Sequence, residues 1–204
     1  MEMAIRELRR TARSVGNGFV RIAVRRPEMG KDRFVIHGRP GIPYRADQIR
    51  RGVTVVTAAS RWPLGEPAFA LAKVSERLGS ILARLEGKQA AEVLRLGPLG
   101  YLTEGTVSNL FLIKNGVLVT PPRWLGVLEG VARGHLLKLA KRLRVPVLEV
   151  PVTRHDLFNA DEAFLTNVLM GILPIARVDG RRIGARVPGP ITRKFLRAMR
   201  GRNG

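Results

Sequence analysis

The 204-residue sequence contains no cysteine, few aromatic residues and no long apolar run. The absence of cysteine excludes disulfides, thiolate metal sites and a cysteine nucleophile. Aromatic residues make up 5% of the chain, which is too few to form a platform for stacking nucleic-acid bases. No apolar run approaches the roughly 18 residues that span a bilayer, and the first residues lack the apolar core of a signal peptide. We therefore expect a cytoplasmic protein that does not contact a membrane.

Acidic residues are also scarce, since 16 Asp and Glu face 36 Lys and Arg, giving a net charge of +20. A charge of this size is typical of proteins that bind a polyanion. However, the arginines are scattered from Arg6 to Arg202 with no dense block. A basic surface with ion-pair networks, as in heat-stable proteins, accounts better for such scattering. We expect that nucleic acid is not the main partner, and a basic nucleic-acid-binding domain remains an alternative.

Helical and strand periodicities alternate along the chain, which predicts an α/β (α+β) fold. Helices are predicted at 3–14, 73–89, 130–143, 154–159 and 190–199. Strands are predicted at 19–24, 53–58, 91–96, 110–114, 145–150 and 162–166, with a hairpin over 176–183. Two prolines and two glycines within residues 38–43 indicate an ordered connector. We therefore divide the chain into residues 1–37, a linker at 38–45 and a larger domain at 46–204.

The most informative segment is Thr103-Glu104-Gly105-Thr106-Val107-Ser108-Asn109-Leu110-Phe111, between two predicted strands. A tight turn that carries Glu104 would place a carboxylate at the mouth of a sheet. Lys73 lies 31 residues upstream. Downstream, Gly130-Val131-Ala132-Arg133 opens a predicted helix, and a strand and turn follow at 164–174. Four motifs therefore occur in a defined order.

This order and spacing resemble the class IV aminotransferases, the pyridoxal-phosphate enzymes of fold type IV, over about residues 3–198. That family includes branched-chain and D-amino-acid aminotransferases and aminodeoxychorismate lyase. The resemblance implies a fold type IV large domain, pyridoxal 5'-phosphate as cofactor, amino-acid and 2-oxo-acid substrates, and a homodimer. It also implies that about 70 further residues would precede the first helix, so that residues 1–37 are the remnant of a truncated small N-terminal domain. The arginine that grips the cofactor phosphate would lie in that preceding stretch, and we expect weak cofactor binding without it.

The resemblance assigns two catalytic residues, Lys73 and Glu104, which also bind the cofactor. Lys73 would form the Schiff base and afterwards move a proton at the substrate carbon. Glu104 would keep the pyridine nitrogen protonated, so that the ring can take up electrons. Asn109 would hold the turn in shape, and the hydroxyls of Thr106 and Ser108 would lie nearby.

The remaining site residues are assigned to the cofactor phosphate and to the substrate. The amides of Val131 and Ala132 would cradle the phosphate at a helix N-terminus, although Ala132 replaces a common threonine. Asn167 and Val168 would form the second wall. Arg25 and Leu169 are the candidate substrate-binding residues.

The reaction and the metal content are further expectations. The Val107-Ser108-Asn109 stretch places the chain nearer D-amino-acid aminotransferases and the lyase than branched-chain enzymes. Aminodeoxychorismate lyase, which makes 4-aminobenzoate and pyruvate for folate, therefore stays open, as does a catalytically silent homologue. The three histidines show no metal-ligand spacing, so we expect no metal.

Overall fold

A computed structural model describes residues 2–25, 30, 33–41, 44–61 and 78–200. The chain divides into two compact units, Met1–Arg45 and Ala46–Gly204. The sheets and helices below confirm the predicted mixed α and β fold. The predicted domain boundaries stay a prediction.

The first unit is a helix packed on a β-hairpin. Helix α1 spans Glu2–Val15, and strands β1 (Gly18–Arg25) and β2 (Arg33–Pro40) pair antiparallel. A Cβ on Gly38 would collide with the side chains of Thr11 and Val15 in α1, so glycine permits the close approach of helix and hairpin. Strand β2 continues through Pro40, three residues into the predicted linker, because it pairs with β1 along its whole length.

The second unit is built on a sheet whose pairings form a closed ring. The ring runs β3–β4–β5–β6–β9–β10 and returns to β3. Its strands are β3 (Val53–Arg61), β4 (Glu92–Leu96), β5 (Leu102–Gly105), β6 (Asn109–Lys114), β9 (Glu162–Asn167) and β10 (Gly171–Val178). Strands β7 (Val117–Thr120) and β8 (Val147–Glu149) extend the sheet from β6, and β11 (Arg181–Arg182) pairs with β10. Such closure leaves few exposed strand edges.

Helices flank this sheet. They are α2 (Ala46–Arg51), α3 (Leu78–Glu86), α4 (Val131–Arg142), α5 (Arg154–Phe158) and α6 (Pro190–Arg200), with a 3₁₀ turn at Arg123–Leu125. Phe164 on β9 stacks on Phe111 of β6 at 5.5 Å between ring centroids, and it meets Phe195 of α6 edge-on at 6.1 Å. All three rings are fully buried. This aromatic cluster fixes α6 and α4 against the strands that carry the candidate site.

Most predicted elements agree with the structure to within a few residues, because each has a clear periodicity. Strands β5 and β7 and helix α2 were not predicted because each has only four to six residues. The eight-residue strand β2 was not predicted because its hydropathy does not alternate along the sequence. The predicted helix at 73–89 corresponds to α3 at Leu78–Glu86, and its first residues lie outside those that the structure describes.

Candidate active site

Glu104 lies in a strand, and this corrects the prediction of a tight turn there. Leu102–Gly105 forms β5, in which Glu104 pairs in register with Asn109 of β6. The turn is confined to residues 106–108. Pairing on both sides, with β4 and β6, extends the backbone through Glu104. The carboxylate is therefore held on the sheet itself and not on a loop.

Among the described residues, Arg95, Asn109 and Leu128 donate to the Glu104 carboxylate. The Oε1 of Glu104 accepts from Arg95 Nη2 at 2.6 Å. Its Oε2 accepts from the side-chain amide of Asn109 and from the backbone N–H of Leu128, both at 3.1 Å. The Glu104 side chain is 11% exposed. Hydrogen bonds to the ionised form favour it over the neutral acid, so this environment suits a carboxylate.

The turn after β5 is organised by Glu92, a residue that the sequence motifs did not single out. Glu92 is buried at the start of β4. Its carboxylate accepts from the backbone N–H groups of Thr106 and Val107 and from the hydroxyls of Thr106 and Ser108. The hydroxyls of Thr106 and Ser108 therefore donate to Glu92. A carboxylate at the start of an apolar strand, fourteen residues upstream of Thr106, was the available signal in the sequence.

The N-terminus of α4 adjoins this strand pair. Asn109 donates to Leu128 O at 2.8 Å, and a Cβ on Gly130 would collide with Asn109 Oδ1. Gly130 is the N-cap residue and offers no side-chain cap. The first amides of a helix have no intrahelical partner, and Gly134 N–H donates to Gly130 O at 2.9 Å at the start of this helix. The amides of Val131 and Ala132 thus stand at a helix end that is suited to an anion.

Arg133, the last residue of the Gly-Val-Ala-Arg motif, binds helix α4 to neighbouring segments. It is 3% exposed. One of its guanidinium nitrogens donates to Pro121 O at 3.3 Å and to Glu149 Oε2 at 2.6 Å. The arginine therefore ties α4 to β8 and to the segment after β7.

A second turn, between β9 and β10, meets the first. The Nδ2 of Asn167 donates to Val107 O at 3.3 Å, while its Oδ1 accepts from the amides of Leu169 and Met170, each at 2.9 Å. Strand pairing explains the meeting, because Asn109 of β6 pairs with Thr166 of β9. Val168 at the tip is 70% exposed. Asn167 therefore joins the two turns, while Asn109 and Leu128 join the segment that leads into α4 to Glu104.

The structure describes two of the three remaining predicted residues, Arg25 and Leu169. Lys73 lies outside the described residues. Arg25 is exposed at the end of β1 in the first unit, where it pairs in register with Arg33. Leu169 is half-buried in the β9–β10 turn. The described part of the chain therefore contributes one carboxylate, one helix N-terminus and two turns.

Among the described residues, no helix combines the length and apolar character needed to cross a bilayer. The same residues contain no group of three or more His, Asp or Glu side chains placed to hold a metal ion. The arrangement can accept a positively charged N–H group at Glu104 and an anion at the α4 N-terminus.

Comparison with known proteins identifies relatives of this chain. The family model described as "Amino-transferase class IV" matches residues 4–178. A branched-chain-amino-acid aminotransferase of Pseudomonas aeruginosa is 41% identical over 109 residues, which cover 53% of this chain and 35% of that protein. The corresponding enzyme of Escherichia coli is 40% identical over 119 residues, or 58% of this chain and 38% of its own length. The match thus spans less than half the length of these curated relatives.

Solved structures agree with these relatives. The crystal structure of the E. coli branched-chain amino acid aminotransferase superimposes with a TM-score of 0.85 at 28% identity, covering 98% of this chain and 71% of that one. A T.th. branched-chain amino acid aminotransferase, solved with pyridoxamine 5'-phosphate, gives a TM-score of 0.74 at 28% identity over 83% of this chain and 56% of that one. Together with the family match, which spans most of the sequence, these similarities show that the chain belongs to the class IV aminotransferase family.

Proposed function

We propose that this chain forms the cofactor-binding part of a pyridoxal-phosphate-dependent aminotransferase, which moves an amino group between an amino acid and a 2-oxo acid. The observation that carries the proposal is the Glu104 carboxylate, fixed by Arg95, Asn109 and Leu128 beside an uncapped helix N-terminus. A family member solved with pyridoxamine 5'-phosphate supports the same cofactor class.

The donor set fits this cofactor. A carboxylate is the partner that a protonated pyridine nitrogen needs, and the amides of Val131 and Ala132 suit a phosphate. Val168, at the exposed tip of the β9–β10 turn, would offer a further amide to it. Asn109 would act by holding the Glu104 carboxylate beside the segment that leads into α4, and Asn167 by joining the two turns. When bound, pyridoxal phosphate supplies an aldehyde carbon for the amino group and a ring that takes up the electrons of the substrate carbon.

Each proposed residue has a separate role at the cofactor or the substrate. Glu104 would accept the hydrogen bond of the ring nitrogen and so hold its proton. Lys73 would supply the amine that binds the cofactor covalently. The freed amine would then move a proton between the substrate carbon and the C4′ carbon of the cofactor. The α4 N-terminus would hold the phosphate end. Leu169 and Arg25 remain the proposed substrate contacts.

Branched-chain amino acids are the first substrates to test, because the relatives above are named branched-chain-amino-acid aminotransferases. Those names count against the prediction that the Val107-Ser108-Asn109 stretch places the chain nearer to D-amino-acid enzymes. The comparisons give the lyase no support over amino transfer.

The decisive experiment combines labelling with turnover. Protein loaded with pyridoxal phosphate is reduced with borohydride and digested, and the pyridoxyl group should be found on the peptide that contains Lys73. L-Leucine and 2-oxoglutarate should then yield 4-methyl-2-oxopentanoate and glutamate in the unreduced enzyme. Lys73→Ala should neither take up the pyridoxyl label nor convert leucine. Lys88→Ala, a change at an exposed control lysine, should keep both the label and the turnover. Label on another lysine would overturn the assignment, and formation of 4-aminobenzoate and pyruvate from aminodeoxychorismate would favour the lyase.

We also propose a homodimer. The resemblance to class IV aminotransferases implies an assembly in which two copies of the chain meet. Light scattering at micromolar concentration should give twice the chain mass of 22.5 kDa. A monomeric mass across the accessible concentration range would contradict it.

A further inference from the structure

Strand β5 carries a bulge opposite Arg95. Leu94 pairs with Gly105 and Leu96 pairs with Leu102, so two residues of β5, Thr103 and Glu104, face the single residue Arg95. The Thr103 hydroxyl donates to Arg95 O at 3.2 Å and pins this irregularity. A bulge redirects the side chains that it contains and is common beside active sites. Here it sets the Glu104 carboxylate against the Arg95 guanidinium.

The resulting ion pair is largely removed from water. Arg95 and Glu104 approach to 2.6 Å, with their side chains 14% and 11% exposed. Charges in such a setting interact more strongly than a surface pair does, and removal of one leaves the other poorly compensated. Arg95 also interrupts an otherwise apolar strand, Val93 to Leu96, whose other members are buried. The position therefore carries a charge whose partner is Glu104.

We propose that Arg95 is a positioning residue that holds Glu104 in place and offsets its negative charge, so that the ring nitrogen of the cofactor meets a paired carboxylate instead of a bare one. This inference rests on the proposed function. The Oε1 of Glu104 accepts from the Arg95 guanidinium, while its Oε2 accepts from the Asn109 side chain and from the Leu128 backbone N–H. Two other carboxylates have partners of their own: Glu129 pairs with Arg123 at 2.9 Å, and Glu92 accepts hydrogen bonds within the turn at 106–108. A positive charge beside Glu104 disfavours a second positive charge on the ring nitrogen.

The test measures the ring nitrogen directly. Protein is loaded with pyridoxamine phosphate labelled with ¹⁵N in the ring, and the ¹⁵N chemical shift is followed against pH in wild type, Arg95→Leu and Arg95→Lys. Loss of the positive charge in Arg95→Leu should raise the midpoint for ring-nitrogen protonation by about one pH unit. Arg95→Lys keeps the charge and should stay within a few tenths of a unit of wild type. An unchanged or lowered midpoint in Arg95→Leu would overturn the proposal.

A second measurement needs no cofactor. Thermal unfolding of Arg95→Leu, Glu104→Leu and the double variant forms a double-mutant cycle. Because each single change strands a partly buried charge, the double variant should melt higher than the additive expectation. Additive losses would overturn the proposed pairing, even if Arg95→Leu folds too poorly to load. Failure of wild-type protein to bind the labelled cofactor would count against the proposed function alone, since this cycle would still test the ion pair.

Discussion

The side-chain amide of Asn109 donates to Glu104 Oε2 at 3.1 Å and to Leu128 O at 2.8 Å. A single amide thus joins the strand that carries the carboxylate to the segment that leads into α4. Gly130 lies close to the same amide, since a Cβ on Gly130 would collide with Asn109 Oδ1. Substitutions around this junction should separate effects on chemistry from effects on stability.

Glu104→Gln should leave the fold intact and slow amino transfer at least about a hundredfold, because a neutral amide cannot hold the ring nitrogen protonated. Steady-state kinetics with leucine and 2-oxoglutarate provide the measurement, and circular dichroism monitors the fold. Glu129→Gln is the matched control, since Glu129 is 53% exposed and pairs with Arg123 at the surface. Wild-type turnover in Glu104→Gln would return Glu104 to a purely structural role.

Asn109→Ala should lower the free energy of unfolding by about 1–3 kcal/mol, because it leaves buried acceptors without their donor. Asn109→Asp should cost more at pH 8, since a second carboxylate then faces Glu104. Protonation of one carboxyl relieves that repulsion, so the excess cost of Asp over Ala should shrink as the pH falls towards 4. Urea denaturation at both pH values measures it, and a constant difference would contradict the explanation.

Gly130→Ala should destabilise the protein, although its backbone at φ −63° and ψ 139° is open to any residue. The cost arises from the collision of the new methyl group with Asn109 Oδ1. Gly134→Ala is the matched control in the same helix, where a Cβ would meet nothing within 4 Å. It should stabilise by about 0.5–1 kcal/mol, because alanine favours a helix interior. If urea denaturation shows Gly130→Ala to be as stable as Gly134→Ala, the role given to Gly130 is refuted.

Thr153→Ala should cost about 1 kcal/mol at neutral pH by removing the N-cap of α5. Thr153 Oγ1 donates to Asp156 at 2.6 Å, and this side-chain hydrogen bond lowers the pKa of Asp156 below its usual 3.8. A lowered folded-state pKa gives stability that is present above about pH 4 and is lost as the pH falls through that pKa. The cost of Thr153→Ala should therefore be smaller at pH 3 than at pH 7. Thermal unfolding at both values checks this, with Arg154→Ala as an exposed control.

The amino-acid sequence by itself determined the mixed fold, most of the long helices and strands, and the family. Periods of 3.6 and 2 are local properties, so helices such as Val131–Arg142 and Pro190–Arg200 were predicted within a residue or two. Four motifs in their order and spacing, at Lys73, at 103–111, at 130–133 and at 164–174, carried the resemblance that the family match confirmed.

Only the tertiary structure decided what each polar side chain contacts. Glu104 was predicted in a turn because Gly105 follows it, yet pairing with β4 and β6 extends it. The contacts of Glu92 with Thr106 and Ser108 and of Asn167 with Val107 span 14, 16 and 60 residues of sequence. The Arg95–Glu104 pair depends on a bulge, which is a property of two paired strands and has no local period. Such contacts follow from strand register, which is set by packing across the whole sheet.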